Sequence, residues 1–523
     1  MGLSRQNTSS ATLVLLVGTL IGRVLGLAVQ IIIASLFGTT AATDAYFVAF
    51  GFLTALASPM AGTFTMTMIP ILSDYLAKEG KQAAIQASGV MFSVTLIVFG
   101  IATAICLGAA TPIVRVLAPG FSPETTRTAS LLLAIMSPTV LFLALNAMQV
   151  SVFHSFRHFL VPTIASFGID LAVILSALTF SSRFGISSLA AAVSIGAAVR
   201  FLFPFSVLAR KRYVAPLSLD FSHPAVRKVT LSAVPVSIAS SVFLINLLLD
   251  RGFASVLGPG SVGALEFAVR VVSLPVIVFG GAVSTAVFPT LSSLEARKKT
   301  DQFRETLSLA LRMLIWVGIP SSVGLIVLRT PIVRLLFERG SFGADSTRIT
   351  SIALLNYSLG VVAYMLNVAT VRAYFSLKDA ITPLKIVGLI VGINALLKLA
   401  LIRLLGLAGI PLATSIASTL GIFFLLEGLR RRIGSIGGNR ILVSGVKTIL
   451  ASILMGVVCW AIYPWLCRLV SPPGVRYQLL QVGGALAAGV VVFMGCSTAL
   501  RSDEARRALA LATRFRKDGA ASR

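Results

Sequence analysis

Thr111-Pro112-Ile113-Val114-Arg115 and Thr330-Pro331-Ile332-Val333-Arg334 are the same pentapeptide, placed 219 positions apart. At the same shift Pro70-Ile71-Leu72-Ser73 matches Pro289-Thr290-Leu291-Ser292. Ala34-Ser35 with Gly38 recurs as Ala254-Ser255 with Gly258. Ser155-Phe156-Arg157 ahead of Pro162 resembles Ser376-Leu377-Lys378 ahead of Pro383, and Gly185-Ile186 with Leu189-Ala190 matches Gly409-Ile410 with Leu412-Ala413. Five matches in chain order at a nearly constant shift mark an internal repeat, not convergent loop chemistry.

Between the matches the chain is almost continuously apolar. It has 523 residues, 56% hydrophobic and 12% charged, where a soluble domain carries about 25% charged residues. A spanning helix needs about 20 mostly apolar residues, and fourteen such stretches can be drawn. They cover 11–37, 44–76, 83–110, 126–153, 160–181, 186–209, 229–256, 262–293, 305–328, 349–375, 383–405, 408–429, 441–467 and 477–500. Each is expected to be helical, because lipid offers no partner for an open backbone. The fold class is therefore an all-α integral membrane protein of about 14 transmembrane helices. The repeat shift contains six spans, an even number, so the two copies share one orientation. Parallel repeats are a transporter architecture with the substrate held between the halves. The expected division is a six-helix lobe over 1–220, a second over 221–435, and spans 13 and 14 with a basic tail over 436–523.

The formal net charge is +26. Nucleic acid would be one partner for so basic a chain, but the cations sit in short loops between apolar stretches. They gather after even-numbered spans, as at Arg210-Lys211-Arg212, Arg297-Lys298-Lys299 and Arg430-Arg431-Arg432. Loops after odd-numbered spans hold far fewer. This is the positive-inside pattern, and it puts both termini in the cytoplasm. The first apolar run, from Ala11, is long enough to span and shows no small-residue cleavage site. Cys106, Cys459, Cys467 and Cys496 lie in or beside apolar stretches, and His154, His158 and His223 fall in loops. No metal site, cofactor or catalytic residue is expected from them, and no phosphate loop or nucleophile motif appears.

Charge inside a span is costly and usually faces a cavity or a partner. Arg23 sits mid-span between Gly22 and Gly26, too deep to snorkel easily, and reads as a cavity-lining cation. Asp44 opens span 2, either as a helix N-terminal acid or as part of a site. Asp250-Arg251 lies in span 7. Glu266 and Arg270 are four apart on one face of span 8, as a structural pair or a substrate contact. Asp170 and Lys398 are also intramembrane. Asn394 stands one turn before Lys398, and Lys398 with Asp250 is a candidate buried pair. Pro59 and Gly62 interrupt span 2, and Pro275 and Gly280-Gly281 interrupt span 8. These are corresponding helices of the two copies, so bends there would suit gating.

Arg23-Val24-Leu25-Gly26, Phe37-Gly38 and Ala42-Thr43-Asp44-Ala45-Tyr46-Phe47 resemble the opening of the MurJ (MviN) family of lipid II flippases, in the MOP exporter superfamily. Asp250-Arg251 with Phe267-Ala268-Val269-Arg270, Leu377-Lys378-Asp379 with Thr382-Pro383, and Gly409-Ile410-Pro411-Leu412-Ala413-Thr414 extend the resemblance over about the first 430 residues. The resemblance implies that an undecaprenyl-linked peptidoglycan precursor crosses the bacterial inner membrane by alternating access. Substrate contacts are then expected from Arg23, Asp44, Arg251, Glu266 and Arg270, with membrane lipids and cell-wall synthesis proteins as partners. The lipid tail would lie along spans 13 and 14.

This chain has Val29 where the family often has a second arginine. It has Leu53-Thr54-Ala55-Leu56-Ala57-Ser58 where a Pro-Asn and Arg-Arg run is common, and Ala61-Gly62-Thr63-Phe64 in place of Glu-Gly-Ala-Phe. Its first half is less basic than the family norm. Asp250, Asn394 and Thr414 fit the pattern of sodium-coupled members, but Lys398 replaces the second acid, so no Na⁺ is expected there. Two alternatives stand beside lipid II. One is a flippase for another polyprenyl-linked oligosaccharide, the other a non-transporting scaffold for wall synthesis.

Overall fold

The computed structural model describes residues 8–213, 248–469 and 474–508, with isolated positions between 214 and 247. All regular structure among the described residues is helical. The first copy of the repeat opens with α1 (Thr8–Phe37), α2 (Ala41–Lys78) and α3 (Lys81–Gly108). Then come α4 (Ala110–Leu117), α5 (Pro123–Met136), α6 (Pro138–Ser155), α7 (Leu160–Ala165), α8 (Gly168–Thr179), α9 (Ser181–Phe184) and α10 (Ile186–Arg210). After α11 (248–255) the second copy continues with α12 (Ser261–Pro275), a π-helical stretch Val276–Gly281, and α13 (Ala282–Ala296). It runs on through α14 (Thr300–Val327), α15 (Arg329–Phe337), α16 (Ala344–Ser358), α17 (Val361–Ser376), α18 (Ile381–Leu405) and α19 (Gly409–Ile433). The unpaired pair is α20 (Gly438–Leu469) and α21 (Val475–Ala499).

Ten of these segments are long and apolar enough to span, or eleven if the bent pair α16 and α17 is one span. The sequence leads one to expect fourteen, and the difference has identifiable sources. Ile381–Ile433 passes as one segment, although Gly406 at φ 55° separates α18 from α19. Only Ala41–Ala57 of α2 enters the comparison, as a shorter helix. Most of the span expected over 229–256 lies outside the described residues.

The repeated pentapeptide turns out not to be loop. It opens two short helices, α4 and α15, that follow the third and ninth expected spans. Both are too short to cross a bilayer.

Helix ends follow the charge pattern. Among the described residues the non-glycine positions with left-handed backbone are Arg157, Arg212, Lys298, Lys378 and Arg501, at φ 60°, 55°, 54°, 57° and 50°. All are cations, and all follow even-numbered spans. Each closes its helix with a pair of backward hydrogen bonds. At α6, Arg157 N–H donates to His154 (2.9 Å) and His158 N–H to Phe153 (2.8 Å). At α17, Lys378 N–H donates to Phe375 (3.0 Å) and Asp379 N–H to Tyr374 (3.0 Å). Glycine is the usual occupant of such a cap, and an L-residue there costs about 1–2 kcal/mol. A cation offsets part of that cost through the negative helix end.

The chain packs as two compact units, Met1–Gly263 with Arg339–Gly343, and Ala264–Glu338 with Ala344–Arg523. In the first, α2 lies against α5 and α6, α10 against α6 and α8, and α1 against α7 and α8. Its apolar core includes Met68, Leu72, Ile85, Met91, Met148 and Phe153. In the second, α14 packs on α17 and α20, and α18 on α19. Trp316, Met455, Cys459, Ala485 and Phe493 form a core around α14, α20 and α21. Close approach there needs small residues: a methyl at Gly489 would lie 2.4 Å from Cys459 Sγ.

Candidate functional site

In the first unit, Asp44 lies in the first turn of α2 and is 1% exposed. Thr40 caps that turn, its hydroxyl accepting from Thr43 N–H. The Asp44 carboxylate reaches the start of α12. Its Oδ2 accepts from Gly260 N–H at 2.6 Å and its Oδ1 from Gly263 N–H at 2.7 Å. A helix N-terminus presents free N–H groups and partial positive charge, so a carboxylate is the natural partner. Gly260 takes φ 85°, and a methyl on it would lie 2.4 Å from Thr39 O. With both oxygens occupied by backbone donors, Asp44 is placed to hold helix ends together.

Around it, the repeated elements dock reciprocally. Ser341, after α15, donates its N–H to Ser35 O (2.8 Å) and its hydroxyl to Leu36 O (2.9 Å) at the end of α1. Gly120, after α4, donates its N–H to Ser255 Oγ (3.1 Å) at the end of α11. Ser35 and Ser255 are repeat equivalents (255 − 35 = 220), and so are Gly120 and Gly340 (340 − 120 = 220). Each copy's post-helix loop thus seats on the other copy's Ala-Ser motif. The fit leaves no room for a side chain. A methyl at Gly340 (φ 55°) would lie 2.2 Å from Ser35 O, and one at Gly120 would lie 2.4 Å from Val256 Cα. In this lock α1 and α11 end, and α4 and α15 follow, spans expected to be odd-numbered, whose loops are the cation-poor ones.

Arg251 is buried in α11 beside Asp250. Its guanidinium lies on the backbone of α2 at Gly51. A methyl there would come 1.3 Å from Nη1 and 1.9 Å from Cζ. Arg23 is exposed on α1, whose Gly18 and Gly22 face neighbouring side chains while Gly26 meets none within 4 Å. A methyl at Gly18 would meet Thr163 at 2.0 Å and one at Gly22 would meet Phe167 at 3.6 Å.

In the second unit, Glu266 is buried in α12 and Arg270 is half-buried one turn on. Asn394 on α18 donates from Nδ2 to Thr414 Oγ1 on α19 at 3.4 Å, and Thr414 in turn donates to Ile410 O at 3.2 Å. Lys398, one turn beyond Asn394, is 0% exposed. The structure thus brings Asn394 to Thr414. Asp250 belongs to the first unit and Lys398 to the second.

Of the residues expected to bend their helices, Pro275 ends α12 and Gly280 falls within the π-helical stretch. A methyl at Gly280 would lie 3.4 Å from Met365 Cα on α17. π-Helical turns recur at functional positions. Pro59 and Gly62 fall within α2, and their surroundings lie outside the described residues.

Gly51, Gly120 and Ser341 are contacts that motif reading passes over. The Ala-Ser…Gly match flags the receiving side of the lock, but nothing in the chain flags the docking loops.

A family model described as "Lipid II flippase MurJ" matches residues 33–467. The lipid II flippase MurJ of Burkholderia cenocepacia is 27% identical over 489 residues, covering 91% of this chain and 93% of that one. A probable lipid II flippase MurJ of Buchnera aphidicola is 30% identical over 414 residues, 78% of this chain and 80% of its own length. A solved structure described as lipid II flippase MurJ in an inward closed conformation superposes with TM-score 0.78 at 26% identity. It covers 93% of this chain and 98% of that one. An inward-facing multidrug MATE transporter of the MOP superfamily shares the fold, with TM-score 0.69 at 16% identity, covering 82% of this chain and 98% of that one.

Proposed function

The chain belongs to the MurJ family of lipid II flippases, and from that premise we propose that it carries lipid II from the cytoplasmic to the periplasmic leaflet by alternating access. The observation that carries the reading is the reciprocal lock. A carrier that opens alternately needs one face shut by contacts that can be broken. Here the shut face is held by hydrogen bonds among backbone groups, two serine hydroxyls and one carboxylate, all of which water can replace when the face opens.

The charge pattern supports a periplasmic position for that face and a cytoplasmic one for both termini. The division into lobes 1–220 and 221–435 with an appended 436–523 belongs to the same proposal, as does the full count of fourteen spans. Arg23 and Arg270 attract the pyrophosphate. Arg251 and Glu266 position the head group, and Asp44 holds the closed face. Pro59, Gly62, Pro275 and Gly280 let α2 and the α12–α13 helix bend. The ammonium of Lys398 stands where a coupling Na⁺ would otherwise sit. Sodium-dependent thermal stabilisation that disappears in Asp250→Ala would overturn that last assignment.

The test of function is complementation. The chain is expressed in a bacterium depleted of its own lipid II flippase, and periplasmic accessibility of lipid II is assayed. Rescue is expected, with loss in Arg23→Ala and in Arg270→Ala. Rescue that survives both substitutions would leave these cations without a role in transport.

A further inference from the structure

At the end of the second unit that carries the even-numbered loops, α14, α20 and the short helix 503–508 border an open pocket of about 380 Å³. Five cations line it, Arg312, Arg440, Lys447, Arg501 and Arg507, against three acids, Glu305, Asp503 and Glu504. One acid is already committed: Glu504 is 2% exposed, accepts from Arg312 Nη1 at 2.8 Å and from Ser502 Oγ at 2.7 Å. Arg312 Nη1 also lies 3.8 Å from Asp503. Arg440, Lys447, Arg501 and Arg507 have no carboxylate within 4.0 Å among the described residues. Lys447 Nζ donates to the Arg501 carbonyl at 3.4 Å.

Among the described residues, two buried polar atoms on the pocket wall lack a hydrogen-bond partner, Ser444 Oγ and Arg312 Nε, and Ser444 is 6% exposed. A buried hydroxyl and a guanidinium N–H left open cost energy unless a ligand or water meets them. The pocket is anchored rather than loose. Ala505, 0% exposed, packs into the core with Trp316 and Met455. The net positive wall and the open donors select an anion.

The surroundings select one on a lipid. Val443 lines the cavity and begins an apolar stripe on α20 through Val446, Leu450, Ile453 and Val457, at 3- and 4-residue spacing. These side chains are 52%, 48%, 54%, 56% and 54% exposed. The stripe runs about 21 Å along the helix, more than one leaflet's half of the ~30 Å hydrocarbon core. A phosphate in the pocket with its acyl chain along this stripe satisfies both features. The cations assigned to the transported head group, Arg23 and Arg270, lie on the repeats and not on α20, where the resemblance seats only the substrate's tail.

We propose that this pocket is a binding site for the phosphate of an anionic glycerophospholipid from the cytoplasmic leaflet, with an acyl chain seated on the exposed face of α20. The test uses the purified full chain in detergent with dioctanoyl phosphatidylglycerol as probe, read as saturable adducts by native mass spectrometry and as a rise in Tm. Binding is expected, with none for dioctanoylglycerol, which lacks the phosphate. Arg440→Gln with Lys447→Gln should weaken it at least tenfold, while Arg440→Lys with Lys447→Arg retains it and shows that the fold survives. Arg23→Ala with Arg270→Ala should leave it intact, which separates this site from the transport reading. Unchanged binding in the double glutamine variant overturns the proposal. So does inorganic phosphate binding as tightly as the lipid, which would mean a free-anion site. Preference for undecaprenyl phosphate at equal concentration overturns it too, by assigning the pocket to the substrate's path.

Discussion

Replacing Asp44 by asparagine keeps the shape of the side chain and removes the charge, so it isolates what the carboxylate contributes to closure. In the closed face both oxygens accept backbone N–H groups, at 2.6 and 2.7 Å, and the residue is 1% exposed. Hydrogen bonds to a charged group contribute about 1.5–3 kcal/mol each. Asparagine can keep one acceptor, now neutral, but its NH₂ would face a second N–H with nothing to accept. The loss is one bond and part of another, about 2–4 kcal/mol. If the open face lacks these contacts, the whole loss falls on the closed state. The closed-to-open ratio then drops about 30- to 700-fold, at 1.4 kcal/mol per decade. Ser261, 8% exposed in the first turn of α12, is a reporter beside the cap. In Ser261→Cys, labelling by a membrane-impermeant maleimide should be slow with Asp44 present and accelerate strongly when Asp44→Asn is added. Equal labelling rates, with the protein still folded and membrane-inserted, would refute the assignment of Asp44 to the lock.

Gly51→Ala puts a methyl inside the Arg251 guanidinium, so α2 or Arg251 must move. A fall in Tm equivalent to about 1–3 kcal/mol and loss of complementation are expected, and wild-type values for both would mean that Gly51 does not seat Arg251. Arg312→Ala strands Glu504, whose side chain is 2% exposed. Breaking a buried pair from one side costs about 3–5 kcal/mol, and Glu504→Gln in the same chain should restore part of it; a thermal melt of the three variants decides. In the loop between α17 and α18, burial raises the Asp379 carboxyl. The N–H and hydroxyl of Thr382 and the Arg432 guanidinium outweigh that effect and hold it below its usual value. A carboxyl held low contributes stability above its unfolded value of about 4 and loses it as pH falls through the lower folded value. The Tm gap between wild type and Asp379→Asn should therefore be flat above about pH 5 and narrow below about pH 4; a gap independent of pH down to acid would show that the charge contributes nothing.

Several of these features can be located in the sequence without being explained by it. Leu377-Lys378-Asp379 and Thr382-Pro383 read as a motif, and the structure supplies its physics. Lys378 takes the left-handed cap of α17, and Asp379 caps the start of α18 by accepting from Thr382. Pro275 and Gly280 read as an interruption, which is realised as a π-helical turn. The Thr-Pro-Ile-Val-Arg repeat is legible as a repeat, yet its conformation as two short helices is not, because five residues carry too little periodicity to declare a helix.

Membrane insertion, helical class, the parallel repeat and the side on which cations gather are all determined by the sequence itself. Each depends on the partition of local stretches between water and lipid, and that free energy is a sum over neighbouring residues. Which groups meet across the chain is decided only in the tertiary structure. Asp44 finds its donors 216 and 219 positions away, and Arg251 finds the bare backbone of Gly51. Those partners are main-chain atoms and missing side chains. Every residue but proline has the same N–H, so no pattern of side chains marks the amides that will close around a buried carboxylate.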